Sequence, residues 1–331
     1  MTAIAEWASD APPEVLAALG ARRDRRGRLV PPSLSTFRRL LRQLDGQALA
    51  AAFGTWLKAQ VMAGLADAGT LVIALDGKTV RGARTTDGKA PHLLAAMITG
   101  ARAVLAQKDI DAETNEITQV KPLLDDVDIT GALVTADAMH VQKETARYLV
   151  EDKEADYLFT AVKDNQPGVF AALDALDWEN GPVGHTAHHR GHGRDETRTL
   201  QVLPAPEGLF PCAAQAFLIE RTVRGPHDGQ LRSAVTALGI TSRSLQRGGS
   251  PAVIAAAARG HWDIEVLHYV RDVSMREDAQ RLRAGTSAQV VAAVRNTAVA
   301  ALRLAGFTGV AAGRRWAARN PARPLAAPNL T

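Results

Sequence analysis

Two aspartates stand at the ends of short apolar runs. Leu71-Val72-Ile73-Ala74-Leu75 leads into Asp76-Gly77, and Gly131-Ala132-Leu133-Val134-Thr135-Ala136 leads into Asp137. Such runs read as buried strands, and strand ends in an α/β sheet converge on one rim, where sites commonly sit. Two carboxylates meeting there would repel and shift each other's proton affinity unless a divalent cation lay between them. The plain alternative is a turn-forming residue, since Asp-Gly is a common turn pair. A third acid comes from far along the chain. His261, Glu265, His268 and Asp272 fall at i, i+4, i+7 and i+11, on one face of a helix. The stripe holds only metal-ligand or proton-transfer types, with no lysine or arginine. The rest of the helix carries Trp262, Ile264, Val266, Leu267, Tyr269, Val270 and Val273. That predicts burial around most of its circumference, with the polar stripe meeting solvent, a partner or a metal.

These residues need a scaffold. Residues 1–70 read as helical: Pro12-Pro13 opens a helix that Gly20 closes, Ser33 and Ser35 precede a basic amphipathic start at Thr36-Phe37-Arg38-Arg39, and apolar residues recur at helical spacing from Leu44 to Ala63. Strands are expected over 71–75, 92–99, 101–107, 131–137 and 156–163, with helices over 118–127, 141–151 and 167–176. Three consecutive strands followed by alternating helices and strands predict an α/β sheet that starts with a meander. Residues 181–248 read as a β-rich insertion, with strands over 197–202, 214–221 and 231–240. Helices are expected again over 251–275 and 287–304. The resulting division is 1–68 (helical, DNA-binding), 69–180 (first part of the core), 181–248 (insertion), 249–310 (helical remainder of the core) and 311–331 (basic flexible tail).

Composition narrows the function classes. The 331 residues are 46% hydrophobic and 22% charged with a net charge of +4, which excludes a disordered chain. A single cysteine, Cys212, excludes a disulfide framework and a thiolate zinc cluster within one chain. No run of about 18 apolar residues suggests a transmembrane helix, and Glu6 and Asp10 argue against a secretory leader, so a cytoplasmic, nucleoid-associated protein is expected. The charge is segregated. Eight arginines and one acid lie between Arg22 and Arg42, and eight arginines and no acid follow Asp278. Between Asp109 and Asp156, thirteen acids face four basic residues. Basic ends suit a polyanion such as nucleic acid, although solvated arginine faces alone would give the same count.

The ordered motifs resemble the ISAs1 group of DDE transposases, the H-repeat-associated proteins of the wider IS4-like set. Resemblance runs through Gly27-Arg28-Leu29-Val30-Pro31-Pro32-Ser33 with Thr36-Phe37-Arg38-Arg39, then Asp76-Gly77-Lys78, Thr135-Ala136-Asp137-Ala138 and Lys163-Asp164-Asn165-Gln166-Pro167. It continues with His192-Gly193-Arg194-Asp195-Glu196-Thr197-Arg198 and is strongest at Arg259-Gly260-His261-Trp262-Asp263-Ile264-Glu265, Leu267-His268-Tyr269-Val270, Asp272-Val273 and Glu277-Asp278. The chain departs from the group at Val266, where asparagine is usual. His261 and Asp272 stand where the IS4-like signature has arginine and lysine, as is usual for this subgroup.

The resemblance implies a ribonuclease-H-like mixed sheet with flanking helices, and a triad of Asp76, Asp137 and Glu265 holding two Mg²⁺ ions, with Mn²⁺ as a substitute. Asp76 would bridge, and Asp137 and Glu265 would each complete one ion. Two such ions activate a water and stabilise the leaving oxygen in phosphodiester cleavage. Water would free a 3′-hydroxyl at the element end, and that hydroxyl would then attack target DNA. The expected partners are double-stranded DNA, as terminal inverted repeats and target, and a second copy of the chain assembled on it, with no membrane. Candidate DNA contacts are Lys78, Arg81, Lys163, Asn165, Gln166, Arg190, Arg194, Arg198, Arg259 and Trp262. Trp262 could stack on an unpaired base or simply fill the core. His185, His188, His189 and His192 look like a metal cluster, but Gly191 and Gly193 and the lack of nearby cysteine argue against zinc. Two other readings stay open: a ribonuclease-H-like nuclease that cuts without joining, and a non-catalytic DNA-binding relic of a transposase.

Overall fold

A computed structural model describes residues 1–64, 70–86, 88–110, 115–160, 166–191 and 193–325. The chain opens with four helices: α1 (Thr2–Asp10), α2 (Pro13–Ala18), α3 (Leu34–Gln43) and α4 (Gly46–Gly64). Pro13 suits the first helical turn of α2, where no partner for an N–H is needed, and Ser33 caps α3 by accepting from the Thr36 N–H. Between α2 and α3 the arginine-rich stretch folds back on itself. Asp24 accepts from the Arg26 and Arg28 N–H groups, and Gly27 takes the left-handed conformation that closes the turn.

Strands β1 (Val72–Thr79), β2 (His92–Ile98) and β3 (Ala103–Ile110) form an antiparallel meander, followed by helix α5 (Glu116–Leu124) and strand β4 (Leu133–Ala136). Helix α6 (Lys143–Arg147) runs into a π turn over 148–152, and β5 (Asp156–Thr160) and α7 (Pro167–Asp174) follow. β4 lies parallel to β1 and β5 parallel to β4. This order, three antiparallel strands and then two parallel ones, is the ribonuclease-H-like mixed sheet expected from the sequence.

The region 181–248 is larger and better integrated than its sequence suggests. It forms four long strands: β6 (Val183–Gly191), β7 (Arg194–Pro204), β8 (Gln215–Arg224) and β9 (Leu231–Thr241). β9 pairs with β5, so core and insertion share one nine-stranded sheet in the order β3-β2-β1-β4-β5-β9-β8-β7-β6. The chain returns as α8 (Pro251–Gly260), α9 (Asp263–Tyr269), a π turn over 270–274, α10 (Ser287–Leu304) and α11 (Val310–Ala318).

Three expectations need correction. The continuous helix over 251–275 is broken at His261-Trp262 and closes in a π turn. The strand before Asp76 does not stop at an Asp-Gly turn, because β2 supplies an antiparallel partner as far as the Thr79–His92 pair. The expected flexible tail contains helix α11, whose Trp316 packs on Phe307 with ring centroids 5.2 Å apart. Among the described residues, no helix is long and apolar enough to cross a membrane.

Strand alternation builds the two cores. Ile73 and Leu75 of β1 point to a core with α4, α5 and β3–β5, whereas Ala74 points to the other face, with Ala95, Met97, Ile264, Leu267 and Val270. Helix α4 approaches β3 so closely that a side chain at Gly54 would fall on the Leu105 carbonyl. Backbone cannot step aside as a side-chain tip can. Gly54→Ala should therefore destabilise the fold by about 1–2 kcal/mol even after the better helix propensity of alanine is credited. A urea midpoint equal to or above wild type would contradict that packing.

Candidate active site

The site begins with a register. β1 and β4 are parallel neighbours with Ala74 opposite Thr135, so Asp76 and Asp137, two residues further on, rise at the same level and face. That face receives α9. The Thr135 hydroxyl pairs with His261 Nδ1 at 3.0 Å, both groups being buried. From Thr135 to Asp137 the strand advances about 6.6 Å. From His261 to Glu265 a helical path would advance about 6 Å, and Glu265 lies near enough to Asp137 to feel its charge.

The rest of the stripe follows. His268 Nδ1 lies 3.4 Å from Asp76 Oδ2, and Asp272 Oδ2 takes a 2.6 Å ion pair from Lys78 Nζ. Ala74 and Ala95, small and fully buried, let the helix come close. Asp263 fastens its start by accepting from the Gly100 N–H and the Arg102 guanidinium. The π turn at its end holds Arg271, only 1% exposed and ion-paired to Glu277, which Arg295 also contacts. Asp263, Arg271 and Arg295 were not singled out by the sequence reading; no periodicity marks them, because their partners are distant in the chain.

Charges crowd this rim. Asp76 is pushed up to about 6, first by burial and then by the charges of Glu116, Asp137 and Glu265, against a hydrogen bond from the Gly77 N–H. Burial and the Asp137 charge also raise Glu265. Burial lowers His261, and burial with the Arg271 and Lys78 charges lowers His268 to about 3. His268 is thus neutral beside Asp76 and cancels none of its charge. Asp137 and Glu265 are solvent-exposed and Asp76 lies deeper. Among the described residues no three ligand-type side chains are already drawn into a metal cluster. The donor set fits a hard cation, since Asp76, Asp137 and Glu265 offer carboxylate oxygens only, and Asp76 feels the negative charge of both others in addition to its burial.

The other expected residues sort by position. Lys78 is 8% exposed and committed to Asp272, so it braces the helix and is not open to phosphate. Arg81 is exposed next to the rim, and Gln166 donates to the Val141 carbonyl beside the Asp137 turn. Lys163 and Asn165 lie outside the described residues. Arg190 and Arg194 stand exposed on the β6–β7 hairpin, away from the three acids in the fold order. Arg198 and Arg259, with Arg221, share the buried Glu196 carboxylate at 2.9, 3.6 and 2.7 Å. Three guanidiniums on one carboxylate leave a surplus positive charge where the insertion meets α8. Trp262 is not a core residue. It is 54% exposed and, with Val266, Tyr269 and Val273, forms an exposed apolar stripe on a helix expected to bury its apolar faces. Among the described residues, His185, His188 and His189 lie along β6 and form no metal cluster; His192 is outside that set.

A family profile described as Transposase DDE domain matches residues 67–300. YncI of Escherichia coli O157:H7 is 33% identical over 256 residues, covering 70% of this chain and 62% of that protein. The H repeat-associated YhhI of Escherichia coli strain K12 is 31% identical over 249 residues, covering 69% and 63%. Both carry a provisional transposase designation. The chain thus spans about three-fifths of the length of these relatives. A piggyBac transposase synaptic complex with hairpin DNA has a TM-score of 0.42 at 12% identity, covering 75% of this chain and 51% of that one.

The pH response of the metal-free protein follows from Asp76. Its carboxyl holds a proton more tightly folded, at about 6, than its ordinary 3.8. The stabilisation this gives is full below pH about 4 and is lost as pH rises through 6. In chelator at pH 8, Asp76→Asn should melt roughly 1–3 °C above wild type, and the advantage should vanish near pH 4. Equal or lower stability of the variant at pH 8 would show that ionising Asp76 at this buried, negatively charged position costs the fold nothing.

Proposed function

The chain belongs to the family of transposase DDE domains, and from that premise we propose that it cuts DNA at the ends of an insertion sequence and joins the freed 3′-hydroxyls to target DNA. The observation that supports the reading is that Asp76 feels the charges of both Asp137 and Glu265, and Glu265 that of Asp137, with burial raising the proton affinity of Asp76 and Glu265. Asp76, Asp137 and Glu265 would hold the divalent cations, Mg²⁺ or Mn²⁺, with Asp76 between the other two. When bound, two such ions lower the pKa of a coordinated water and stabilise the departing oxygen.

The chain's own groups do the rest. His261 and Thr135 hold Glu265 at its level, and the Lys78–Asp272 pair keeps the end of the helix down on β1. Water attack frees a 3′-hydroxyl, and attack by that hydroxyl on a second phosphodiester exchanges one P–O bond for another, so joining needs no external energy source. Arg198, Arg221 and Arg259, gathered on Glu196, would offer the DNA backbone a positive surface, with exposed Arg190 and Arg194 on the hairpin and exposed Arg81 as further contacts. Trp262, exposed three residues before Glu265, suits stacking on a base unpaired at the cut. The eight exposed arginines between Arg22 and Arg42 suit the flanking duplex, bound as terminal repeat by a pair of chains.

A precut end carrying a free 3′-hydroxyl separates the readings. Joined product supports transposition; cutting without joining identifies a nuclease; binding with neither identifies a DNA-binding relic. Glu265→Gln and Asp137→Asn should still bind DNA, while cleavage with Mg²⁺ falls by about 1000-fold or more, because lost charge stabilisation of several kcal/mol costs tenfold per ~1.4 kcal/mol. A folded variant that cleaves at near wild-type rate would remove that residue from the site. A chain beginning at Thr70 should bind DNA more weakly, with a flatter salt dependence; unchanged binding would dismiss the N-terminal helices as a DNA element.

A further inference from the structure

On the far side of β1 from Asp76 lies a second polar cluster that the cleavage chemistry does not use. Gly77 points away from the cleft, and a side chain there would fall on the Glu116 carboxylate and on His92 Nε2. That carboxylate occupies the hollow. Its Oε1 takes His92 Nε2 at 2.6 Å, and its Oε2 takes the buried His140 Nε2 at 3.2 Å. His92 Nδ1 in turn pairs with the Thr79 hydroxyl at 2.9 Å.

The cluster spans what the sheet leaves unbraced. The paired rungs of β1 and β4 end at Ala74–Thr135, two residues before both aspartates. Beyond that point β2 is the one strand paired with β1 among the described residues, and the chain after β4 enters a tight 3₁₀ turn, Ala138–His140, capped by the Asp137 carboxylate. Glu116 joins these two pieces: through the Gly77 hollow and His92 it grips the end of β1, and through His140 it grips the turn that begins at Asp137. We propose that Glu116, bridging His92 and His140, is a positioning residue that sets the spacing of Asp76 and Asp137 for cation binding. The proposal rests on the metal-site reading of those acids. Its charge acts in the same direction. Burial would raise the Glu116 carboxyl, but the hydrogen bonds from His140 and His92 outweigh it and hold it at about 2, and the ionised group adds to the negative field at Asp76.

Mn²⁺ titration calorimetry on the full chain tests this, alongside cleavage of a terminal-repeat duplex over a range of Mn²⁺ concentrations. Glu116→Gln keeps size and one acceptor. In chelator it should melt within about 3 °C of wild type. It should bind Mn²⁺ about 10-fold or more weakly, as loss of a ligand-orienting partner does. Its half-saturating Mn²⁺ for cleavage should rise likewise, while the rate at saturation recovers to within about threefold, a split that general loosening of the fold would not give. If Glu116→Gln does not fold, His92→Gln at its half-buried position carries the same test in the same direction. Asp76→Asn serves as the control for the site itself. A wild-type chain that takes up no Mn²⁺, or an Asp76→Asn chain that takes it up equally well, overturns the metal reading and this inference with it. Normal uptake by wild type, its loss in Asp76→Asn, and wild-type affinity in the Glu116 or His92 variant overturn the inference alone.

Discussion

One buried hydrogen bond, between Thr135 on a strand and His261 just ahead of the approaching helix, sets the register on which the three acids depend. Strand and helix advance at different rates per residue, yet two strand residues and one helical turn cover nearly the same distance. With His261 at Thr135, Glu265 comes within charge range of Asp137, His268 reaches Asp76 and Asp272 reaches Lys78. The match requires a close approach, and Ala74 and Ala95 permit it. A larger residue at either position would lift the helix and separate its glutamate from the aspartates.

Holding like charges together works against folding, so the surrounding contacts have to fasten the helix firmly. They do so with opposite charges placed outside the cleft. Asp263 ties the start of α9 to the β2–β3 turn through Arg102, Lys78 ties its end to β1, and the buried Arg271–Glu277–Arg295 group locks the segment after the π turn. Gly82 belongs to the same lock, since a side chain there would meet the Glu277 and Asp278 carbonyls. None of these basic groups is left to neutralise the three acids, whose charge stays available for a cation. A fold that met every charge locally would be more stable and would have no such site.

Much of this was legible in the sequence, for physical reasons. Apolar runs ending on Asp76 and Asp137 signalled strands, and the i, i+4, i+7, i+11 stripe survived both the break at Trp262 and the π turn because neighbouring turns still stack. Asp76-Gly77 misled because a glycine after an aspartate reads as a turn, whereas this glycine is needed for the space that Glu116 fills on the opposite face. Glu116, His92 and His140 are separated in sequence and meet only through sheet order, so no local pattern announces them. The β6 strand was missed because its histidines and glycines lack strand propensity and little of it is buried; it forms by pairing with β7. Hydrophobicity places Trp262 and Tyr269 on the buried part of the helix, but it cannot tell an apolar face that packs from one left open.

The central claim is that Asp76, Asp137 and Glu265 form one cation site. Anomalous diffraction from crystals grown with Mn²⁺ and a precut DNA end tests it most directly. The account predicts one or two anomalous peaks within roughly 2–2.5 Å of oxygens from all three carboxylates. Peaks elsewhere, such as over the acidic loop at Asp125, Asp126 and Asp128, with none between β1, β4 and α9, would contradict it.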